Sequence, residues 1–219
     1  VEPSKTGYWQ NVVYGFRLST VHQHKRLYLA LLVFALFNIS IQIFMPYLIL
    51  YYEVSLQMAN YVLIMAPAIV LASVVTALWG KVYDKKGYGF SAYLAIAWLM
   101  AGYVLLIAFR GTALVFVGSL LMMCGYLSGM AVFGARIRDL IPEGKAGMLQ
   151  GIRICSQVLV PGIIGPYIGK LVLQNAETVL NNDGTYSFVP NTNIFLAALV
   201  AAAILPVLMH LTKEKEVTQ

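Results

Sequence analysis

The chain has 219 residues, of which 60% are hydrophobic and only 11% are charged. Soluble globular domains carry about a quarter charged residues, so this composition excludes an ordinary water-soluble fold. The formal net charge is +6, and its meaning depends on where the charges fall, because both nucleic-acid-binding and membrane proteins carry basic segments.

The first 26 residues mix aromatic and basic side chains. This mixture is typical of a segment that lies along lipid headgroups, and we predict a cytoplasmic linker segment over residues 1–26. The chain begins at Val1 rather than Met, which we interpret as a start internal to a longer protein.

Six apolar runs follow, and each has about the 20 residues that a helix needs to cross the hydrocarbon layer of a bilayer. They cover residues 27–51, 60–79, 90–109, 112–135, 148–173 and 194–211. The alternating segments of a membrane β-barrel do not occur. We therefore predict an all-α membrane protein with a six-helix transmembrane bundle over residues 27–211 and a cytoplasmic tail over residues 212–219.

Most Lys and Arg residues fall in segments that this topology places on one side of the membrane. These segments precede the first run, join the second to the third and the fourth to the fifth, and follow the sixth. The positive-inside rule makes that side cytoplasmic. We therefore predict that both chain ends lie on the cytoplasmic side of a bacterial plasma membrane. The lipid bilayer, and not nucleic acid, is then the partner of the basic residues.

Polar side chains are spread unevenly over the six runs. The first contains Asn38 and Gln42, the fourth Tyr126 and the fifth Gln157, whereas residues 194–209 of the sixth contain no polar side chain. We predict that helices one and four face inward and that three and six face lipid. We also predict two inverted three-helix repeats, a common arrangement in transporters, on topology alone.

Asn38, Gln42, Tyr126 and Gln157 are candidate substrate-binding residues. Amides donate and accept hydrogen bonds, as a hydroxyl-rich solute requires. The alternative is that these side chains bond neighbouring helices to each other. Tyr51 and Tyr52 at the outer end of the first run predict an aromatic belt or a gate.

The fifth run contains Pro161, Gly162, Gly165 and Pro166. Because proline removes a backbone donor and kinks a helix, these four residues predict a hinge. Two Gly-xxx-Gly spacings, one in the fourth run at Gly125 and one in the fifth run at Gly165, predict close approach to other helices.

Residues 80–89, GKVYDKKGYG, resemble the loop signature G-x-x-x-D-R/K-x-G-R/K of the major facilitator superfamily. Gly80, Asp84, Lys85 and Gly87 match it, and Tyr88 departs from the final basic position. The stretches YGFR (14–17), RDLIPEGKAGMLQGIR (138–153) and PGIIGPYIG (161–169) resemble the carboxy-terminal half of carriers related to glycoside-pentoside-hexuronide symporters.

The resemblance implies that the chain is one half of a twelve-helix fold, with an amino-terminal six-helix half as its partner. It implies that the protein transports a sugar or glycoside by alternating access, in symport with H⁺ or Na⁺. It also implies that Asp84 docks on a helix N-terminus and pairs with Arg136 or Arg138, so that Gly80, Asp84, Lys85, Gly87 and the two arginines form a conformational latch.

None of the six runs contains Asp or Glu, so a carboxylate for cation coupling is expected outside this chain. No zinc spacing, phosphate-binding glycine loop or nucleophile triad occurs, and we expect no cofactor and no enzyme activity. The alternative function is a self-contained six-helix channel or an oligomeric pore.

Overall fold

The computed structural model describes residues 14–58, 60–180 and 186–217. Residues 1–13 of the predicted linker and residues 218–219 of the predicted tail lie outside this range. After a 3₁₀ turn at Tyr14–Phe16 come helices α1 (Leu18–Gln23), α2 (Lys25–Ser55), α3 (Val62–Ala108), α4 (Thr112–Leu140), α5 (Ala146–Val172) and α6 (Asn193–Val217). Strands β1 (Thr178–Leu180) and β2 (Tyr186–Phe188) form an antiparallel pair with Thr178 opposite Phe188.

Within the described residues, five helices rather than six are long and apolar enough to cross a membrane. The difference lies in α3, whose 47 residues include the predicted second and third spans. At about 1.5 Å per residue, such a helix would be about 70 Å long, more than twice the hydrocarbon thickness. The predicted charged loop between these spans is therefore helical over most of its length.

The continuity of α3 is interrupted at Gly87, where the backbone has φ 77° and ψ 174°. This combination is accessible almost only to glycine, because a Cβ would clash with the backbone. We call residues 62–86 the first arm of α3 and residues 88–108 its second arm. The stretch of residues 80–89 thus contains the residue at which the helix changes direction.

Helices α3 and α4 pack against each other through glycines. A Cβ on Gly102 would lie 2.5 Å from the backbone N of Met122, and one on Gly125 would collide with the backbone of Leu99. Neither position has room for a side chain. The predicted close approach at Gly125 is confirmed, and its partner is the second arm of α3.

Helix α2 lies in the centre of the bundle and packs against α4, α5 and α6. Two thirds of its apolar stretch is buried (67%), compared with 11% for α5. Phe37 is fully buried and its ring centre lies 5.0 Å from that of Phe133 in α4. These aromatic side chains fill the core between the two most buried helices.

The segments that carry most of the basic residues meet at one end of the bundle, which we call the basic end. Arg26 of α2, Tyr88 beside the break in α3, Arg136 of α4 and Met209 of α6 line a common cleft there. This agrees with the predicted grouping of the basic segments on one side.

At the opposite end, the Tyr51 hydroxyl donates a hydrogen bond of 3.2 Å to the Leu106 carbonyl oxygen, and the Tyr52 hydroxyl bonds Ser119. Tyr51 and Tyr52 are fully buried. The aromatic-belt alternative is wrong for these two residues, because they join helices inside the bundle, and the gate alternative stays a prediction.

Candidate functional site

Close contacts connect four helical segments of the bundle in a row. Thr76 of the first arm lies 3.4 Å from Ser128 of α4, hydroxyl to hydroxyl. A Cβ on Gly129 of α4 would collide with the Phe37 ring of α2. Gly165 of α5 is in equally close contact with α2. The order of the segments is therefore first arm, α4, α2 and α5, and we call these four segments the four-helix row.

The four-helix row has accessible polar side chains on three neighbouring helices. Gln42 of α2, Tyr126 of α4 and Gln157 of α5 are each half-buried. In the described part of the chain, no hydrogen bond engages these three side chains. Among the described residues, these side chains therefore do not join neighbouring helices by hydrogen bonds.

Asn38 behaves differently from the other three binding candidates. It is only 6% exposed, and its Nδ2 donates a hydrogen bond of 2.9 Å to the Phe34 carbonyl oxygen of its own helix. Side chains that bond the preceding turn in this way satisfy themselves locally. The structure thus places Asn38 in the core and not beside Gln42 on the accessible surface.

The predicted hinge residues all lie in α5, next to an irregular turn. Residues Cys155–Leu159 form a π-helical segment, and the Val160 N–H donates to the Cys155 carbonyl oxygen five residues back. Pro161 follows at once and supplies no N–H for a regular helical bond. Single π turns of this kind are frequent at functional sites, and Gln157 lies within this one.

Gly165 positions α5 against α2. A Cβ at Gly165 would collide with the Cβ of Gln42, and one at Gly169 would lie 2.5 Å from the Ile43 carbonyl oxygen. The predicted Gly-xxx-Gly contact is confirmed, with α2 as the partner. The same contact places Gln42 beside Gly165, in the part of α5 that contains Pro166.

The predicted latch residues lie at the basic end. Asp84 and Arg138 line one cleft of about 130 Å³ between the first arm and α4, together with Trp79, Gly80 and Ala135. Both charged side chains are exposed, and no ion pair involving Asp84 occurs among the described residues. The buried indole N–H of Trp79 has no hydrogen-bond acceptor in this part of the chain.

Two tyrosine contacts that the sequence analysis missed hold the α3 break against α4. The Tyr83 hydroxyl donates a hydrogen bond of 2.9 Å to the Asp139 carboxylate, and the Arg136 guanidinium lies 5.0 Å from the ring centre of Tyr88. Tyr88 is the residue that departs from the signature. These contacts could have been anticipated from the spacing of Arg136 and Asp139, because residues three apart lie on one face of a helix.

The chain was compared with models of protein families, with curated proteins and with solved structures, and no match was found. The accessible polar side chains of the four-helix row and the charged cleft at the basic end are therefore the features from which a function can be argued.

Proposed function

We propose that the chain is the carboxy-terminal half of a major facilitator superfamily carrier. It moves a small polar solute, a sugar or a glycoside, by alternating access with H⁺ or Na⁺ symport. The observation that carries this proposal is the four-helix row, whose central helices α2 and α4 are largely buried yet present Gln42 and Tyr126 with no hydrogen-bond partner among the described residues.

The break at Gly87 supports a six-span arrangement. It divides α3 into arms of residues 62–86 and 88–108, each of about the 20 residues that a span requires. Helix α2 with the two arms then forms one three-helix unit, and α4, α5 and α6 form the inverted second. In each unit the first helix contributes a polar side chain to the four-helix row.

The solute binds between the four-helix row and the amino-terminal half. Gln42 and Gln157 donate to and accept from its hydroxyl groups, and Tyr126 adds a hydroxyl and an aromatic face. The π turn and the prolines of α5 allow this helix to change its bend while Gly165 keeps it in contact with α2. Coupling to the cation requires a carboxylate from the amino-terminal half.

The latch closes the cytoplasmic side, which is the basic end. The exposed Asp84 carboxylate docks on the N-terminus of a partner helix, where the helix dipole favours negative charge. An acceptor from the same helix would satisfy the buried indole N–H of Trp79. Arg138 on the opposite wall of the cleft compensates the charge of Asp84 as the halves close.

Uptake by the full natural protein in proteoliposomes tests this function, with a panel of sugars and glycosides and imposed Na⁺ or pH gradients. We expect gradient-stimulated uptake of at least one solute. Because a hydrogen bond contributes about 0.5–1.5 kcal/mol, Gln42→Ala and Gln157→Ala should each raise KM about 2- to 10-fold. Gln150→Ala, an exposed amide on α5 near the basic end, is the matched control and should leave KM unchanged.

The absence of stimulated uptake across the whole panel would refute the carrier assignment. A steady ion conductance in planar bilayers, independent of any solute, would favour the channel alternative instead.

A further inference from the structure

A second cleft at the basic end lies on the side of α2 that faces away from the four-helix row. It has a volume of about 370 Å³ and is bounded by α2, the second arm of α3, the end of α4 and α6. Arg26 of α2 lines it, and Gln42 follows 16 residues later, about 160° around the helix at 100° per residue. A ligand in this cleft would not contact the proposed solute site.

The rim of the cleft is cationic. Arg26 and Arg136 approach it from different helices, and Lys86 lies nearby with its Nζ 5.6 Å from the ring centre of Phe90. No Asp or Glu is among the described residues that line the cleft. The planar fork of a guanidinium fits phosphate oxygens, so two arginines that line one cleft from two helices suit a phosphate group.

The floor of the cleft is apolar and runs towards the membrane interior. Leu29 and Ala30 continue the same face of α2 away from Arg26, and both are partly accessible in the cleft. The Tyr93 hydroxyl donates a hydrogen bond of 3.4 Å to the Pro206 carbonyl oxygen, which joins α3 to α6 along the cleft wall. A cationic rim above an apolar floor matches a molecule with a phosphate head and an acyl tail.

We propose that this cleft binds an anionic phospholipid such as phosphatidylglycerol, with the phosphate between Arg26 and Arg136 and an acyl chain along Leu29 and Ala30. Basic pockets between transmembrane helices on the cytoplasmic side are suited to such headgroups. The site depends on embedding in a bilayer, which is part of the proposed function, and lipid binding to it can be measured without transport. The bound lipid stabilises the contact between α2, α4 and α6 at the basic end.

Native mass spectrometry of the full natural protein, titrated with phosphatidylglycerol or phosphatidylcholine, tests the proposal. We expect saturable binding of one phosphatidylglycerol, preferred over phosphatidylcholine. The double variant Arg26→Gln/Arg136→Gln should weaken this binding by at least about tenfold, because two charge-assisted contacts are lost. The pair Arg26→Lys/Arg136→Lys keeps both charges without the fork and should show an intermediate affinity.

The double variant Lys25→Gln/Lys81→Gln is the matched control, because it removes two exposed charges near the same end but outside the cleft. An equal loss of affinity in this control would overturn the proposal and leave only a general attraction to the basic surface. Displacement of the lipid by equimolar glycerol phosphate would also overturn it, because the acyl chain would then contribute nothing. Each variant is first checked for correct folding by size-exclusion chromatography, in which its elution profile should be unchanged. If Arg26→Gln/Arg136→Gln does not fold, the affinity of Arg26→Lys/Arg136→Lys for phosphatidylglycerol is the deciding measurement. A wild-type affinity in that variant would overturn the proposal.

Neither outcome depends on uptake, so the lipid site and the transport function fail or succeed separately.

Discussion

Individual glycines set the distances between helices in this protein. Gly102 and Gly125 lie against the backbones of α4 and α3 respectively, so any Cβ there must separate the two helices. By contrast, a Cβ added to Gly147 of α5 would meet nothing within 4 Å. The same substitution at these positions should therefore have opposite effects on stability.

We expect Gly125→Ala to destabilise the protein by about 1–3 kcal/mol, the usual effect of overpacking a core. Gly147→Ala should be neutral or stabilising by up to about 1 kcal/mol, because alanine favours helix. Thermal unfolding in detergent measures both. A Gly125→Ala protein with an unchanged melting temperature would contradict the close approach of α3 and α4.

Asp84 is the central residue of the proposed conformational latch. Asp84→Asn keeps the side-chain volume and removes the charge, which a helix N-terminus stabilises by about 0.3–2 kcal/mol. We expect uptake to fall up to about 30-fold with normal membrane insertion. Glu143→Gln, at an exposed acidic residue of the α4–α5 connection, is the control. Equal uptake by the Asp84→Asn protein would exclude the latch.

At the scale of elements, α2, α3 and α5 all depart from regular helix, and α2 contains a 3₁₀ turn at Met45–Tyr47 and a π turn at Tyr51–Ser55. In α3 the cause is one glycine with a positive φ, and Tyr83 and Tyr88 hold the segments on either side of it against α4. In α5 the cause is a π turn directly before a proline. Helix α6 contains Pro206 and carries no such turn.

Gly87→Ala should destabilise the protein by about 1–3 kcal/mol, because alanine is strained at this backbone geometry. Gly89→Ala is the matched control, since Gly89 lies two residues further on, without a positive φ and with open space around it. Thermal unfolding of the two variants gives the comparison. Similar melting temperatures would show that α3 tolerates a different bend.

The hinge in α5 is tested by Pro161→Ala/Pro166→Ala. Restored backbone donors should straighten the helix and raise thermal stability, while the uptake rate falls because α5 bends less readily. Pro206→Ala in α6 provides the comparison and should change uptake little. Faster uptake by the α5 double variant would argue against a hinge.

At the scale of the whole molecule, the first arm of α3 and α5 are the least covered parts of the bundle. Val70 of the first arm is 62% exposed and Ile163 of α5 is 64% exposed, similar to Val200 of α6 at 58%. The proposed partner half would cover the first two positions, whereas lipid would cover the third.

Spin labels at these three positions, in a cysteine-free background of the full natural protein, distinguish the two environments. We expect relaxation by dissolved oxygen, which concentrates in lipid, to be strong at Val200 and severalfold weaker at Val70 and Ile163. Equal relaxation at all three positions would show that no second helical unit packs on the four-helix row.

The sequence predicted that the chain is mostly helical, with long apolar helices. Substrate binding by Gln42, Tyr126 and Gln157 stays a prediction, and the structure shows that these three side chains are partly accessible on α2, α4 and α5. Asn38 was predicted to be a substrate-binding residue together with these three. Its bond to Phe34 depends on a side-chain conformation that residue type and spacing do not determine.

By itself, the sequence determined the long apolar helices, the grouping of the basic segments at one end and the glycines at which helices approach. These properties follow from composition, run length and side-chain size, all of which are local. Only the tertiary structure decided that α3 continues through the charged stretch as far as Gly87, that Tyr51 and Tyr52 are buried, and that Arg136 stacks on Tyr88. Those outcomes depend on how the helices are rotated against each other, which no single segment encodes.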